Sequence, residues 1–456
     1  MTRRVLDRPG QGAARRPFVL LLLICTLSTC GYSVLLAVVP LWVSRGGSGA
    51  FGSGASTGVF MLTTVLTQLA VPWLLRRFGH RVALGGGLLL LGGPAPLLAL
   101  SAELAPVLVL SALRGVGFGL FTVASGALVA ELVPPAEHGR STAMFGLATG
   151  VPQLLLLPTG VGAVEHLGFT GVFVAAAVPL LGFPLLAPIR LPGSGPGRSG
   201  FTLAGDGDGD GDGDGDGDGA GDGDGVRGVG PSGAGLPPGP ELAATPELAP
   251  APESVGAPAV PESAEGAVRG GWRGGSVGPV VAMLGCATAQ GALITFLPLA
   301  VTPPGTVVPI ALLGTAGGAV LGRVVAGNLV DRRGWGGRLL GPGVLLGVVG
   351  MLVEVLVSRV PSLGGAVLLV AGAMLVGFGF GLVQNDSLVA MFAAAGEARY
   401  GRASAAWNIA YDAGTGAGAV GLGAVAQLFG FRVTFGVSAA LLLVVLPLVV
   451  RYRRWA

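Results

Sequence analysis

Long apolar stretches, each close to the length that crosses a bilayer, recur along almost the whole chain. A hydrocarbon core about 30 Å thick requires about 20 apolar residues per helix, and twelve stretches meet this length. They therefore predict an all-α membrane protein with 12 transmembrane helices. The stretches cover about 17–43, 54–75, 82–101, 106–132, 141–164 and 169–189 in the first half, and about 277–300, 306–330, 339–358, 364–392, 403–428 and 432–450 in the second.

The composition excludes an ordinary soluble enzyme. Charged residues make up 11% of the chain, against about 25% in soluble domains. Most of the 24 acidic residues fall between Asp206 and Glu265, which leaves few carboxylates inside the apolar stretches. The sequence has no phosphate-binding loop, no metal-ligand spacing and no nucleophile–base–acid set, and three cysteines cannot form a disulfide framework. We therefore expect no enzymatic activity and no cofactor.

The distribution of arginine predicts the orientation in the membrane. All 27 basic residues are arginine, and cytoplasmic loops carry an excess of basic residues. With a cytoplasmic N-terminus, only Arg45, Arg359 and Arg432 fall in outer loops, whereas the tails, the inner loops and the central insert hold most of the others. We expect a multi-pass protein of the cytoplasmic membrane with both termini in the cytoplasm.

An acidic insert separates the two sets of six stretches. It contains an alternating Gly-Asp tract followed by a stretch rich in Pro, Glu and Ala. The insert has too little apolar surface to offset the entropy cost of ordering the chain. We therefore predict a disordered linker. The predicted organisation is a tail over 1–16, a six-helix bundle over 17–190, the linker over 191–275, a second bundle over 276–450 and a tail over 451–456.

The two sets of six resemble each other in register, which indicates an internal repeat. Residues 72–79 align with 327–334 at an offset of 255. Residues 117–120 align with 379–382, and 139–143 with 401–405, both at an offset of 262. Parallel six-helix repeats form a clamp around a cavity near the middle of the bilayer. The repeat therefore predicts two pseudo-symmetric bundles that rock about a central site.

The loop after the eighth stretch carries the clearest motif. Gly327, Asp331, Arg332 and Gly334 match the pattern Gly-x-x-x-Asp-Arg-x-Gly-Arg-Arg, whereas Trp335 and Gly336 replace its final basic pair. This pattern is the loop signature of the major facilitator superfamily. With six plus six spans and a long central loop, the chain resembles this family. The resemblance implies a conformational latch, in which the Asp331 carboxylate faces a helix N-terminus or an arginine, here near Arg402. The alternative is a solvated loop charge that only fixes topology.

The resemblance covers about 18–190 and 277–450 and excludes the insert. It implies the fold and alternating-access transport of that family, in the form of a bacterial, actinobacterial-like efflux permease. The first half departs from the signature, because Pro72 replaces the Gly and Arg76 replaces the Asp. A latch is therefore expected in the second half and not in the first.

Five ionisable residues inside predicted spans are candidates for function, because charge is costly there. One of them, Glu354, lies near the outer end of the ninth span, where we expect it to reach the membrane interface. Arg114 resembles the fourth-helix arginine that the family's exporters use in proton coupling; alternatively, it bonds to backbone. Arg323 occupies the repeat position of Gln68, and it either pairs with a carboxylate or extends toward the cytoplasm. Asp412 and Asp386 could each carry a proton, or each could form an ion pair that locks one conformation. Asp412 has the better position, about ten residues into the eleventh span.

Polar side chains on otherwise apolar helices mark the predicted substrate cavity. Each of them could equally serve as a hydrogen bond between helices. A cavity with so few charges suits a hydrophobic or amphipathic molecule better than a multiply charged one. The candidates are Tyr32, Gln153, Gln290, Gln384, Asn385, Trp407, Asn408 and Tyr411.

The sequence thus predicts a secondary active transporter that moves small organic molecules by alternating access. Proton-coupled efflux is the leading hypothesis, with the proton gradient as energy source. The alternatives are proton-driven uptake of a nutrient such as a sugar or organic acid, and a non-transporting membrane receptor or scaffold with the acidic linker as interaction tail. We expect a monomer in the lipid bilayer that binds a small molecule, and no nucleic acid or metal.

Overall fold

A computed structural model describes residues 11–132, 138–189, 277–301, 306–357, 363–395 and 400–452. All of these residues belong to one compact unit. Within them every regular element is helical, which confirms the all-α prediction. The predicted linker over 191–275 and the outer residues of both predicted tails lie outside the described residues.

The first half consists of four long helices, two of which contain a break. Within α2 and α4, Gly79 has φ 75° and Gly168 has φ 68°, a conformation that glycine adopts without steric cost. Each of these helices therefore contains one predicted span and the first part of the next. The bounds are Gln11–Arg45 for α1, Gly49–Gly92 for α2, Leu104–Leu132 for α3 and His138–Ala175 for α4.

The chain reverses direction at Gly79. Beyond this residue the second arm of α2 runs antiparallel to α3, because Gly87 meets Phe121 whereas Leu91 meets Arg114. The first arm, residues 49–78, contacts α3 in the opposite order. The two arms therefore form a hairpin, as the separate predicted spans require.

The second half repeats these breaks. Gly334 (φ 61°) ends α6 and Gly430 (φ 81°) separates α9 from α10. They follow Gly79 and Gly168 by 255 and 262 residues, which are the two offsets of the sequence repeat. The structure therefore confirms the register of the repeat. The bounds are Val277–Ala300 for α5, Val307–Arg333 for α6, Leu340–Val357 for α7, Leu363–Ala395 for α8, Tyr400–Phe429 for α9 and Phe431–Tyr452 for α10.

Close backbone contacts are also repeated. In each half, two glycines of one helix pack directly on the backbone of a neighbouring helix, and a Cβ at any of these glycines would collide with it. Small residues allow membrane helices to approach in this way. The pairs are Gly115 with Phe60 and Gly119 with Thr64 in the first half, and Gly377 with Thr315 and Gly381 with Ala319 in the second.

Ten stretches of the described residues are long and apolar enough to cross a membrane, and they follow the predicted spans closely. Helix α9 is not among them, because Asn408, Asp412 and several glycines lower its hydropathy. The sixth predicted span differs from the prediction of a regular α-helix. After α4 it continues in 3₁₀ turns, Val178–Gly182 and Pro184–Leu186, because its prolines lack the backbone donor that α-helical bonding requires.

The two halves meet along α2 with α9 and along α4 with α6, and α1 also contacts α5. We call the face where α1 begins and α10 ends the terminal face, and the opposite face the far face. At the far face, Gln427 of α9 accepts a hydrogen bond from the Ala50 backbone N–H at 2.8 Å. The last turn of α9 in the second half therefore caps the first turn of α2 in the first half.

Candidate functional site

A hydrogen bond between Gln68 and Asp412 joins the two halves near the middle of the bundle. Gln68 Nε2 donates to Asp412 Oδ2 at 2.7 Å. Asp412 is 3% exposed and Gln68 is 7% exposed, so the bond is shielded from solvent. The other amide atom, Gln68 Oε1, is buried without a partner among the described residues. The site therefore holds a carboxylate, one donor and an unused acceptor.

The repeat relates this contact to a second one. Arg323 and Gly150 stand at the repeat positions of Gln68 and Asp412, and the Arg323 guanidinium faces Gly150 across the interface. The structure thus brings Arg323 to the interface between the halves. Arg323 forms no ion pair with a carboxylate among the described residues, so the predicted carboxylate partner is not present here.

Three of the predicted cavity residues form a group around Tyr411, the residue before Asp412 in α9. The Tyr411 hydroxyl lies near Gln153 of the other half. Its ring stacks near Trp407, with 6.3 Å between centroids, and approaches Phe380 at 5.8 Å. Trp407 Nε1 donates to Ser387 Oγ at 2.9 Å. The aromatic rings of the second half therefore cluster around Tyr411, next to Asp412 in the chain.

Tyr32 and Arg114 supply the corresponding surface in the first half. Tyr32 stacks on Phe118 with 4.2 Å between centroids, and its buried hydroxyl has no partner among the described residues. Arg114, 3% exposed, donates to the Leu91 carbonyl at 3.2 Å. Tyr32 and Arg114 line a cavity of about 20 Å³, enough for about one water molecule. Backbone bonding was the structural alternative for Arg114, and the described contacts agree with it.

Asp386 lies in a different environment. Its two oxygens accept hydrogen bonds from the backbone N–H groups of Gly337, Leu339 and Leu340, at 2.7, 2.8 and 3.1 Å. These donors belong to the turn between α6 and α7 and to the first residue of α7. The geometry makes Asp386 an anchor for that turn, and the structure does not bring it to the interface between the halves.

The remaining cavity candidates have weaker connections to the site. Gln290 is buried in α5 with no partner for Oε1 among the described residues. Asn408 donates to the Ser404 carbonyl of its own helix at 2.9 Å. Gln384 and Asn385 are half-buried on α8, one turn from Ser387. Their place in the cavity stays a prediction.

The predicted latch residues gather at the terminal face. Gly334 takes the left-handed conformation that ends α6, and its N–H bonds back to the Val330 carbonyl. Asp331 and Arg332 are exposed in the last turn, and Asp331 makes no ion pair within the described residues. The side chain of Arg402 lies outside the described part of the chain, so the latch stays a prediction.

Two polar residues matter more in the structure than in the sequence analysis. Gln68 was noted only as the repeat position of Arg323, yet it makes the bond to Asp412. Glu354 of α7 is fully buried, and neither carboxylate oxygen has a partner among the described residues. In the sequence, Gln68 is marked by its repeat relation to Arg323 and Glu354 by its charge within a span. Neither feature identifies what the side chain contacts.

The architecture defines a polytopic membrane protein of two six-helix repeats with a buried polar site between them. The model of the Major Facilitator Superfamily matches residues 20–419, and the chain belongs to this family. Its fold is the twelve-helix membrane bundle of that family. The sequence has no significant match among curated protein sequences.

Solved structures agree with this fold. A bacterial homolog of the human lysosomal transporter Spinster, inward-facing and unoccupied, superposes with a TM-score of 0.65 at 13% identity, covering 98% of each chain. A mutant of the peptide transporter POT gives 0.64 at 17% identity, with 96% of this chain and 95% of that chain covered. The nucleoside transporter NupG gives 0.63 at 11% identity, with 96% and 100% covered.

Proposed function

We propose that the protein is a secondary active transporter that exports small, largely apolar organic molecules in exchange for protons. It would lie in the cytoplasmic membrane of a bacterium with both termini, and hence the terminal face, in the cytoplasm. It would use the proton gradient and no cofactor or catalytic chemistry, and it would act as a monomer.

The Gln68–Asp412 hydrogen bond is the observation that carries this proposal. Glu354, Asp386 and Asp412 are the buried acids of the described residues, and of these Asp412 is the one bonded to the opposite half. A proton on Asp412 would convert an acceptor into a donor. The hydrogen bond between the halves would then change with protonation. Such a change is what coupling proton binding to a rocking motion of the halves requires.

The surroundings of this pair support an amphipathic substrate. The rings of Phe380, Trp407 and Tyr411 provide apolar faces in the second half, Tyr32 provides one in the first, and Asp412 adjoins Tyr411 in α9. Pockets of this kind take up molecules with a large apolar body and a few polar groups. A multiply charged molecule is a poorer fit, because the described residues of this site supply one carboxylate, Asp412, and two arginines, Arg114 and Arg323, and Arg114 already bonds to backbone.

Uptake is the second candidate, because the same protonation cycle can run in either direction. Gln290 and Gln153 offer polar groups to a hydrogen-bonding substrate, and the Gln290 Oε1 is unused among the described contacts. The structural neighbours named as nucleoside and peptide transporters carry polar substrates. A nutrient such as a sugar or organic acid would be the corresponding substrate here.

The two directions are separated by a transport assay in inverted membrane vesicles with an acidic interior. A fluorescent ΔpH probe reports proton release when a panel of lipophilic compounds and sugars is added. Dissipation by a lipophilic compound, absent in Asp412→Asn and present in Glu354→Gln, is the expected result. Glu354→Gln is the matched control because it alters a buried acid away from the interface.

No response to any compound in inverted vesicles, together with sugar-dependent proton entry in right-side-out vesicles, would overturn export and establish uptake. No response in either orientation, from protein shown to be folded, would support the receptor or scaffold hypothesis instead.

A further inference from the structure

A crevice of about 520 Å³ lies between the two arms of α2 and the facing side of α3. This volume falls within the range of ligand pockets, roughly 300–1,000 Å³. The walls are almost entirely apolar, and the crevice extends from mid-helix to the turn at Gly79. Leu66, Leu74, Phe78, Val82, Val116 and Leu120 are the largest of its lining residues.

The crevice faces away from the other half. Its wall continues into exposed apolar stripes, which include Leu62 and Leu69 on α2 and Val109 and Leu113 on α3. The side of α2 that meets α9 carries Gly54, Gly58 and Gln68 instead. Exposed aliphatic surface on a membrane-spanning helix is in contact with lipid chains. The crevice is therefore open to the bilayer.

Basic residues stand at its mouth. Arg76 and Arg77 are exposed immediately before Phe78, and neither forms an ion pair within the described residues. Arg81, on the other side of the turn, is already engaged, since it donates to the Ile189 carbonyl at 2.8 Å. Two arginines that form no ion pair within the described part of the chain therefore lie where lipid headgroups are, at the end of an apolar crevice.

The second half differs at the repeated position. At an offset of 262, Phe378 replaces Val116, and at an offset of 255, Val325 replaces Ala70. Both larger side chains pack into a cluster with Leu329 and Trp335, which occupies this space. Asp331 stands where the first half has Arg76. The second half therefore fills the crevice and places an acid beside its exposed Arg332 and Arg333, whereas the first half leaves the crevice open and has no acid in α2.

We propose that the first half binds one anionic phospholipid at this position. One acyl chain occupies the crevice between the arms of α2 and α3, and the phosphate headgroup contacts Arg76 and Arg77 at the terminal face. The replacement of the signature's Asp by Arg76 then has a physical role, because a carboxylate there would repel such a headgroup. This site depends on membrane insertion and not on the proposed transport activity.

Native mass spectrometry of the full chain in mild detergent tests this site. Protein is titrated with dioleoylphosphatidylglycerol or with dioleoylphosphatidylcholine, and the occupancy of the first bound lipid is measured. We expect phosphatidylglycerol to bind more tightly by roughly 30-fold, since each arginine near the headgroup contributes about fivefold. The double variant Arg76→Gln/Arg77→Gln should remove this preference, and Arg332→Gln, at the repeat position of Arg77, should leave it intact.

Filling the crevice provides a second arm of the test. Val116→Phe introduces the side chain that the second half uses, and it should abolish the tight site for phosphatidylglycerol. Ala70→Val is the milder substitution if Val116→Phe does not give monodisperse protein with unchanged helical circular dichroism. Equal binding of the two lipids by wild type, or undiminished phosphatidylglycerol binding by a folded crevice-filling variant, would overturn the proposal.

Discussion

Removing one partner of the Gln68–Asp412 hydrogen bond should destabilise the protein more than replacing both partners with apolar residues. Gln68→Met retains length and volume but leaves the Asp412 carboxylate without the one donor described for it. Asp412→Leu leaves the Gln68 amide without its acceptor. The double variant Gln68→Met/Asp412→Leu replaces both polar groups with apolar ones in a buried setting.

The expected size follows from the geometry. A buried hydrogen bond to a charged group at 2.7 Å contributes about 1.5–3 kcal/mol to stability, and an orphaned buried partner costs about 1–3 kcal/mol. Each single variant should therefore lower the free energy of unfolding by about 1.5–3 kcal/mol. The double variant should be close to wild type, because apolar replacement of both partners can be nearly neutral. The coupling energy, which is the sum of the two single losses minus the loss in the double variant, should then be about 3–6 kcal/mol.

Reversible unfolding in mixed micelles measures these four free energies. The matched control combines Gln68→Met with Glu354→Leu, a buried acid with no described bond to Gln68, for which the two losses should add to within about 0.5 kcal/mol. If the losses of Gln68→Met and Asp412→Leu also add to within about 0.5 kcal/mol in the double variant, the idea that this bond ties the halves together is refuted.

Three further outcomes follow from other parts of the structure. Gly318→Ala should destabilise the protein by about 1–3 kcal/mol, since the added Cβ would collide with the Met374 backbone. Gly317→Ala, where the added Cβ meets open space, should be neutral or slightly stabilising. Unfolding of both variants in mixed micelles tests this difference. Gln427→Ala removes the cap on α2 at the far face, so a cysteine introduced at position 50 should be labelled several-fold faster by a water-soluble maleimide. Deleting residues 200–268 should leave vesicle transport intact if this segment is only a linker, and loss of all activity in a folded, inserted protein would favour a scaffold.

Much of the fold follows directly from the sequence. The length of an apolar stretch fixes whether it can cross the bilayer, so most helix bounds were predictable. The reversals at Gly79 and Gly168 recur at Gly334 and Gly430, which is why a repeat register read from residues also located the turns. The sixth span is the exception, although Pro179 and Pro184 were visible, because prolines are tolerated in membrane helices and their effect depends on the neighbouring helices.

The site was less predictable because its contacts connect distant residues. Asp412 could be singled out as a charge in a span, but its partner Gln68 is set by how α2 packs on α9, and one sequence does not specify this packing. Asp386 has a similar sequence signal, yet its oxygens bond to the turn before α7. Two acids of the same type thus acquire different roles from the backbone groups around them.

The most direct test of the transport mechanism uses proteoliposomes with an imposed pH gradient and a compound identified in the vesicle assay. Asp412→Asn is compared with wild type and Glu354→Gln for gradient-driven transport and for substrate counterflow without a gradient. We expect Asp412→Asn to lose gradient-driven transport and to retain counterflow, because the halves still alternate but no proton is carried. Gradient-driven transport by Asp412→Asn at the wild-type rate would contradict the assignment of Asp412 as the proton carrier.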